Sequence, residues 1–251
     1  MPEALAVALA QPGLIFVAGA SLLAGLVYGF AGFGPALIFM PLATIFLSPA
    51  VAIAGLSMSA LASLVTIVPG AWRVADRRTV IIMIAACVIF TPLGVALLRF
   101  ASADAIRTGV SVLTLATLVV LLAGWRVPLQ SGWPMRAGVG ALAGITGGST
   151  GINGPPVILF NLGADQPVAV TRGNLAVFLT LTSLSFLPQL WLQGLLQPLA
   201  IWIGVLLLVP YGMGTFLGAR LFNPDWASGY KVMAYLLIGV AGVAGLPIWG
   251  G

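Results

Sequence analysis

The fold is decided by two stretches, Gly29-Phe30-Ala31-Gly32-Phe33-Gly34-Pro35-Ala36-Leu37 and Gly147-Gly148-Ser149-Thr150-Gly151-Ile152-Asn153-Gly154-Pro155-Pro156. Each lies inside a long uncharged run, the first within residues 4–72 and the second within 137–164. Glycine without a Cβ and proline without an N–H are too dense here for continuous helix. Each run therefore predicts a helix that enters, breaks and returns, over 14–47 and 137–163. Irregular backbone survives at membrane depth only where protein or a wet cavity covers it, so the breaks mark a pathway.

The membrane setting follows from composition. Of 251 residues, 61% are apolar and 6% charged, where a soluble domain carries charge on roughly a quarter. Further uncharged runs cover 79–98, 108–125, 173–219 and 232–251, each reaching the ~18 residues a spanning helix needs. The reading is an all-α polytopic membrane protein whose solvent is the lipid bilayer. Histidine is absent and Cys87 is the single cysteine, which excludes a His/Cys metal site, a disulfide framework and a Ser-His-Asp or Cys-His catalytic set. The net charge of +5 is scattered between apolar runs and forms no basic stripe, so no nucleic-acid partner is expected. The N-terminal MPEALAVALAQPG has no basic region, and no cleaved signal peptide is expected.

The chain also repeats itself. Gly25, Gly29, Gly32, Gly34 and Pro35 match Gly144, Gly148, Gly151, Gly154 and Pro155; Ser48-Pro49-Ala50 matches Gln166-Pro167-Val168; Pro92-Leu93-Gly94 matches Pro210-Tyr211-Gly212; and Asp104 to Arg107 sits opposite Asp225 to Lys231, the starts of matched stretches being offset by 118 to 121. Two homologous repeats are predicted, 1–124 and 137–251, joined by a cytoplasmic linker 125–136. Repeat one carries spans at 49–69, 80–98 and 106–124; repeat two carries spans at 168–188, 199–219 and 230–248. Cytoplasmic loops are enriched in Lys and Arg. Arg73, Arg77 and Arg78 follow the first span of repeat one, while the equivalent loop, Gln189 to Pro198, has no charge. Equivalent loops thus fall on opposite sides, giving two inverted repeats, each a Gly/Pro-broken helical hairpin plus three transmembrane helices. Both termini then lie outside the cytoplasm, and only Arg99 and Arg107 among the ten cations face outward.

Returning arms that start at Gly34-Pro35 and Asn153-Gly154-Pro155 aim their N-termini at the breaks, and free N–H groups with a positive dipole end favour an anion. The incoming arms aim carbonyl ends at the same tips, so dipoles alone leave the sign of the ligand open. The candidate substrate-binding residues are Tyr28, Gly29, Gly32, Gly34, Thr146, Gly148, Ser149, Thr150, Gly151, Asn153, Gly154, Asn161, Arg172 and Asn174. For the hydroxyl and amide groups the competing reading is helix adhesion; for Arg172 it is an interfacial anchor. No catalytic residue, metal or cofactor is expected. Trp72, Trp125, Trp133, Trp226 and Trp249 fall at span ends, as an aromatic belt does.

At Gly29 to Leu37 with Met40-Pro41-Leu42, at Gly147 to Pro156, and at Arg172-Gly173-Asn174, the sequence resembles the TauE/SafE family of membrane anion transporters, often called sulfite exporters. The likeness extends over nearly the whole chain and includes the repeat layout. Pro35 departs from it, standing where a further Gly is common. The resemblance implies a bacterial inner-membrane secondary transporter exporting a small anionic substrate: sulfite, a sulfonate such as sulfoacetate, or a related organic anion. A passive anion channel and a non-transport assembly factor are the alternatives. An enzyme is not expected, because no carboxylate pair lies within the spans.

Overall fold

The computed structural model describes residues 2–124, 132–163, 166–221 and 227–249. Linker residues 125–131, with Trp125 and Arg126, and Asp165, Asp225 and Trp226 lie outside the described residues. A short helix α1 (Pro2–Leu9) leads into α2 (Leu14–Ala31) and α3 (Pro35–Ala43). Next come α4 (Pro49–Ser59), α5 (Leu61–Thr66), α6 (Val68–Val74), α7 (Arg77–Phe100) and α8 (Ala103–Leu122). The second part holds α9 (Trp133–Thr150), α10 (Gly154–Gly163), α11 (Val168–Leu192), α12 (Pro198–Leu221) and α13 (Ala227–Ala244), closed by a 3₁₀ turn at Pro247–Trp249. No strand occurs among the described residues. Among the described residues six helical stretches are long and apolar enough to cross a membrane, and side chains such as Ile15, Ile89, Phe100 and Leu236 stand exposed on the outside, where lipid is their natural neighbour. The chain is a multi-pass helical membrane protein.

The breaks are narrower than glycine density implies. α2 continues through Gly29 and α9 through Gly147 and Gly148, leaving only residues 32–34 and 151–153 outside helix. Those interior glycines serve close packing. A Cβ on Gly25 or Gly29 would strike the carbonyl oxygens of Tyr211 or Thr215 on α12, and one on Gly214 or Gly218 would strike Leu22 or Leu26 on α2. The pattern recurs between α9 and α7: Gly140, Gly144 and Gly148 sit on the carbonyls of Met83, Cys87 and Thr91. Lipid tails are as apolar as the helices, so association depends on such close approach. Contacts advance in the same direction along both partners, so α2 runs parallel to α12 and α9 parallel to α7.

These contacts correct one alignment. Gly144 with Cys87 corresponds to Gly25 with Tyr211, and Gly148 with Thr91 to Gly29 with Thr215. The two interfaces thus relate Thr91 to Thr215 and Gly94 to Gly218, at an offset of 124 (215 − 91), and Pro92-Leu93-Gly94 does not pair with Pro210-Tyr211-Gly212. Helix interfaces fix register by which carbonyls the glycines meet, and a shared Pro-x-Gly pattern does not carry that information.

The stretch after the first hairpin is likewise not one helix to residue 69. It breaks at Ala60 and at Ile67, where φ is −114°, and restarts with Pro69 in the first turn of α6, reaching Val74. Proline lacks the N–H that an interior position would need, and tolerates a helix start.

Both hairpins close on themselves. The Gln11 amide donates to the Phe46 carbonyl (3.2 Å), and the Phe16 and Phe46 rings lie 5.3 Å apart, so α3 returns toward the start of α2. In the second hairpin, Asn174 donates to Gln166 beyond α10 (3.3 Å) and accepts from the Asp76 backbone N–H (2.8 Å). Arg136, in the first turn of α9, acts on the same Asp76. Asp76 caps α7 by accepting from the Thr79 N–H (3.2 Å) and hydroxyl.

Candidate functional site

The site is built from the two breaks. Gly32 and Gly34 have φ of 77° and 87°, and Gly151 has φ of 76°, a left-handed conformation that costs other L-residues roughly 1–2 kcal/mol. Gly32 closes α2 by donating to the Tyr28 carbonyl (2.9 Å), and Gly151 closes α9 by donating to Gly147 (2.7 Å). Each chain then reverses, and Pro35 and Gly154 begin the returning helices α3 and α10.

The two tips meet at one cavity. Gly34, Pro35 and Ala36 line it from the first hairpin, and Ile152, Asn153 and Gly154 from the second. Tyr28, Thr180, Ser183 and Tyr211 supply its hydroxyls. Its volume is about 20 Å³, room for about one water molecule. Pro35, Pro155 and Pro156 have no N–H, so the hydroxyl groups matter more to a ligand here than a bare helix-terminus argument implies. Asn153 is buried and its amide donates to Thr182 (2.7 Å).

A second, wider space of about 330 Å³ adjoins it, lined by the ends of α2 and α12, by α5 and α6, and by the start of α11. Arg172 provides its cation, and among the described residues no carboxylate lines either space. The Arg172 stem lies over Gly32, and its Nη2 donates to the Gly29 carbonyl at 3.4 Å. A cation at the C-terminal end of a helix offsets the negative end of its dipole. In the first hairpin the incoming carbonyl end is therefore matched by Arg172, which tilts the local field toward an anion. At the second break the equivalent position is apolar: a Cβ on Gly151 would meet Met40 at 2.8 Å and Ile53 at 3.0 Å.

The expected residues divide into three groups. Tyr28, Gly34, Asn153 and Gly154 line the central cavity, and Tyr28, Gly29, Gly32 and Arg172 the wider space. The others are elsewhere. Thr146 and Ser149 donate to carbonyls one turn back, at Leu142 (3.0 Å) and Ile145 (2.9 Å). Thr150 donates to Thr146 (2.7 Å) and accepts from Ile152 N–H (3.2 Å), closing the second break. Gly148 packs on α7, and Gly151 provides the reversal. Asn174 donates to Asn161 (3.0 Å), which donates to Val157 (2.8 Å); this pair belongs to the buried amide network around Asp76.

Thr180, Ser183 and Tyr211 are the cavity residues that sequence reasoning missed. Their signal is modest: hydroxyls three residues apart on α11, and one tyrosine in a mostly apolar span. Among the described residues, no three His, Cys, Asp or Glu side chains come close enough to hold a metal.

No curated protein and no solved structure matches the chain. The family model described as sulfite exporter TauE/SafE matches residues 17–245, which takes in both broken hairpins, the cavity between them and Arg172. That family consists of transporters rather than enzymes, in keeping with a polar pocket enclosed by apolar spans, and the chain belongs to the sulfite exporter TauE/SafE family.

Proposed function

We propose that this transporter is a secondary carrier that exports a small sulfur-containing or organic anion, such as sulfite or a sulfonate, across the bacterial inner membrane. The observation that carries the reading is the convergence of both broken tips on one cavity, beside a wider space that holds a cation and, among the described residues, no carboxylate. Repeats of inverted topology meeting at a central site are a recurring carrier design. The parallel pairs α2 with α12 and α9 with α7, and the return of each hairpin toward its own start, support that topology here. The charges of Arg73, Arg77 and Arg78 support a cytoplasmic Asp76 end and, with the inverted topology, termini on the outside. The Arg172 space then faces inward.

A central cavity of about 20 Å³ is too small for a sulfur oxyanion, which favours a carrier over an open channel. The discriminating test is counter-transport in proteoliposomes. Unlabelled sulfite or sulfoacetate placed opposite labelled substrate is expected to accelerate its exchange. Flux that neither saturates nor responds to substrate on the opposite side would indicate a channel, and no flux with stable copurification of another protein would indicate an assembly factor.

A further inference from the structure

One residue lines both spaces. Tyr28 is common to the central cavity and to the Arg172 space, and among the described residues no other lining residue is shared. Its side chain is 1% exposed and its hydroxyl is held by α11 at two points: it donates to the Ala176 carbonyl at 2.7 Å and meets Thr180 Oγ1 at 2.7 Å. A phenol has one proton. Since that proton goes to Ala176, Thr180 is the donor in the second bond, and the pair forms a directed latch between α2 and α11.

We propose that Tyr28 is the inner gate: an anion first occupies the Arg172 space and reaches the two broken tips only when the tyrosine hydroxyl releases Ala176 and Thr180. This rests on the carrier reading above and adds to it an ordered, two-station entry. The fold gives the ring a fixed hinge. Its backbone carbonyl accepts from Gly32, the first residue of the break, and the flanking Gly25 and Gly29 hold α2 against α12. Ring rotation can therefore open the partition while that helix pair stays packed. The second break differs: at the position of Tyr28 stands Gly147, where a Cβ would meet the Phe186 ring at 2.6 Å. The tyrosine latch is thus confined to the first hairpin, and at the matching position of the second a glycine packs on an apolar ring.

The gate is tested with the membrane-impermeant anion 2-sulfonatoethyl methanethiosulfonate, applied to inside-out vesicles of Cys87→Ala protein. A single cysteine is placed at Ser183, in the central cavity, or at Ala169, in the Arg172 space. With Tyr28 intact, Ser183→Cys is expected to react slowly and Ala169→Cys rapidly. Tyr28→Phe removes both latch bonds but keeps the ring, and should speed labelling at Ser183→Cys by about tenfold, the scale of one or two net hydrogen bonds. Tyr28→Ala should speed it further. Thr180→Ala, which leaves the tyrosine in place, should also accelerate it and keeps the test readable if Tyr28→Ala does not fold. An unchanged Ser183→Cys rate in these variants, with Ala169→Cys still reactive from the cytoplasmic side, would overturn the gate and leave the carrier reading standing. Reaction of Ala169→Cys only from the outer face would overturn the inner placement of the gate together with the orientation on which it rests.

Discussion

Arg172 Nη2 donates to the carbonyl of Gly29 at 3.4 Å, joining the start of α11 to the last turn of α2. A bond this long is weak, and Arg172 lines the adjoining space as its cation. Arg172→Gln should weaken anion binding by about 1.5–3 kcal/mol, the range for hydrogen bonds to charged groups. Arg172→Lys should recover part of this, because a point charge remains while the planar fork is lost. Thermal shift of purified protein against sulfite and sulfoacetate reads both, since a ligand that binds the fold raises its apparent stability. Equal shifts in Arg172→Gln and the parent would return the residue to a purely structural role.

The glycine interfaces make a prediction independent of ligand. Gly148→Ala places a Cβ 2.6 Å from the Thr91 carbonyl oxygen, and Gly29→Ala places one 2.5 Å from that of Thr215. Each should destabilise the protein by about 1–3 kcal/mol, as overpacking does. Gly138→Ala, where nothing lies within 4 Å, is the control and should leave the apparent melting temperature unchanged or raise it slightly, since Ala is the better helix former.

Asp76 lies outside the spans, at the start of α7. Burial pushes its carboxyl up, but donation from the Thr79 hydroxyl and N–H, with Arg136 nearby, outweighs this and holds it below the usual carboxylate value. A lowered native pKa contributes stability at pH above about 3.9, the ordinary aspartate value, and that contribution is lost as pH falls through the native value. Asp76→Ala should cost about 0.5–2 kcal/mol at neutral pH, as loss of a helix cap does. The gap between its melting temperature and the parent's should narrow on acidification toward pH 3; a gap independent of pH would remove the charge from the argument.

How much of this could be read from sequence depends on how local each signal is. Residues 32–34 and 151–153 were legible because glycine and proline impose their constraints on their own backbone. The roles of Gly29, Gly147 and Gly148 were not, because a glycine that breaks a helix and one that admits a neighbour look alike until the neighbour is known. The register of α12 was misread for the same reason: it depends on the Tyr211 and Thr215 carbonyls, which every residue possesses. Among site residues, Tyr28 and Arg172 stood out as polar groups beside a break. Thr180 did not, since a membrane threonine commonly bonds one turn back, as Thr91 does to Cys87 and Thr182 to Phe178. Asn161 and Asn174 were expected at the ligand and instead bond one another.

Inverted topology is tested by single cysteines in the Cys87→Ala background at Arg78 and Gln197, both exposed. Gln197 is preferred to Gly194, whose φ of 72° disfavours any side chain. The two cysteines should react with an impermeant thiol reagent from opposite faces of the membrane. Reaction of both from the same face would contradict the inverted arrangement.

Energetics offers the most direct test of potential-driven anion export. Among the described residues the acids are Glu3, Asp76 and Asp104, with Asp104 paired to Arg107 at 3.6 Å, and none lines either space. A proton- or sodium-coupled carrier ordinarily keeps a carboxylate within its spans. An anion leaving a cell that is negative inside is already driven outward by about 2.3 kcal/mol per charge per 100 mV. The decisive measurement is efflux from proteoliposomes loaded with sulfite or sulfoacetate, under an imposed inside-negative potassium diffusion potential and with no pH or sodium gradient. The potential alone should accelerate efflux; efflux that ignores it and follows an imposed pH or sodium gradient would contradict the account.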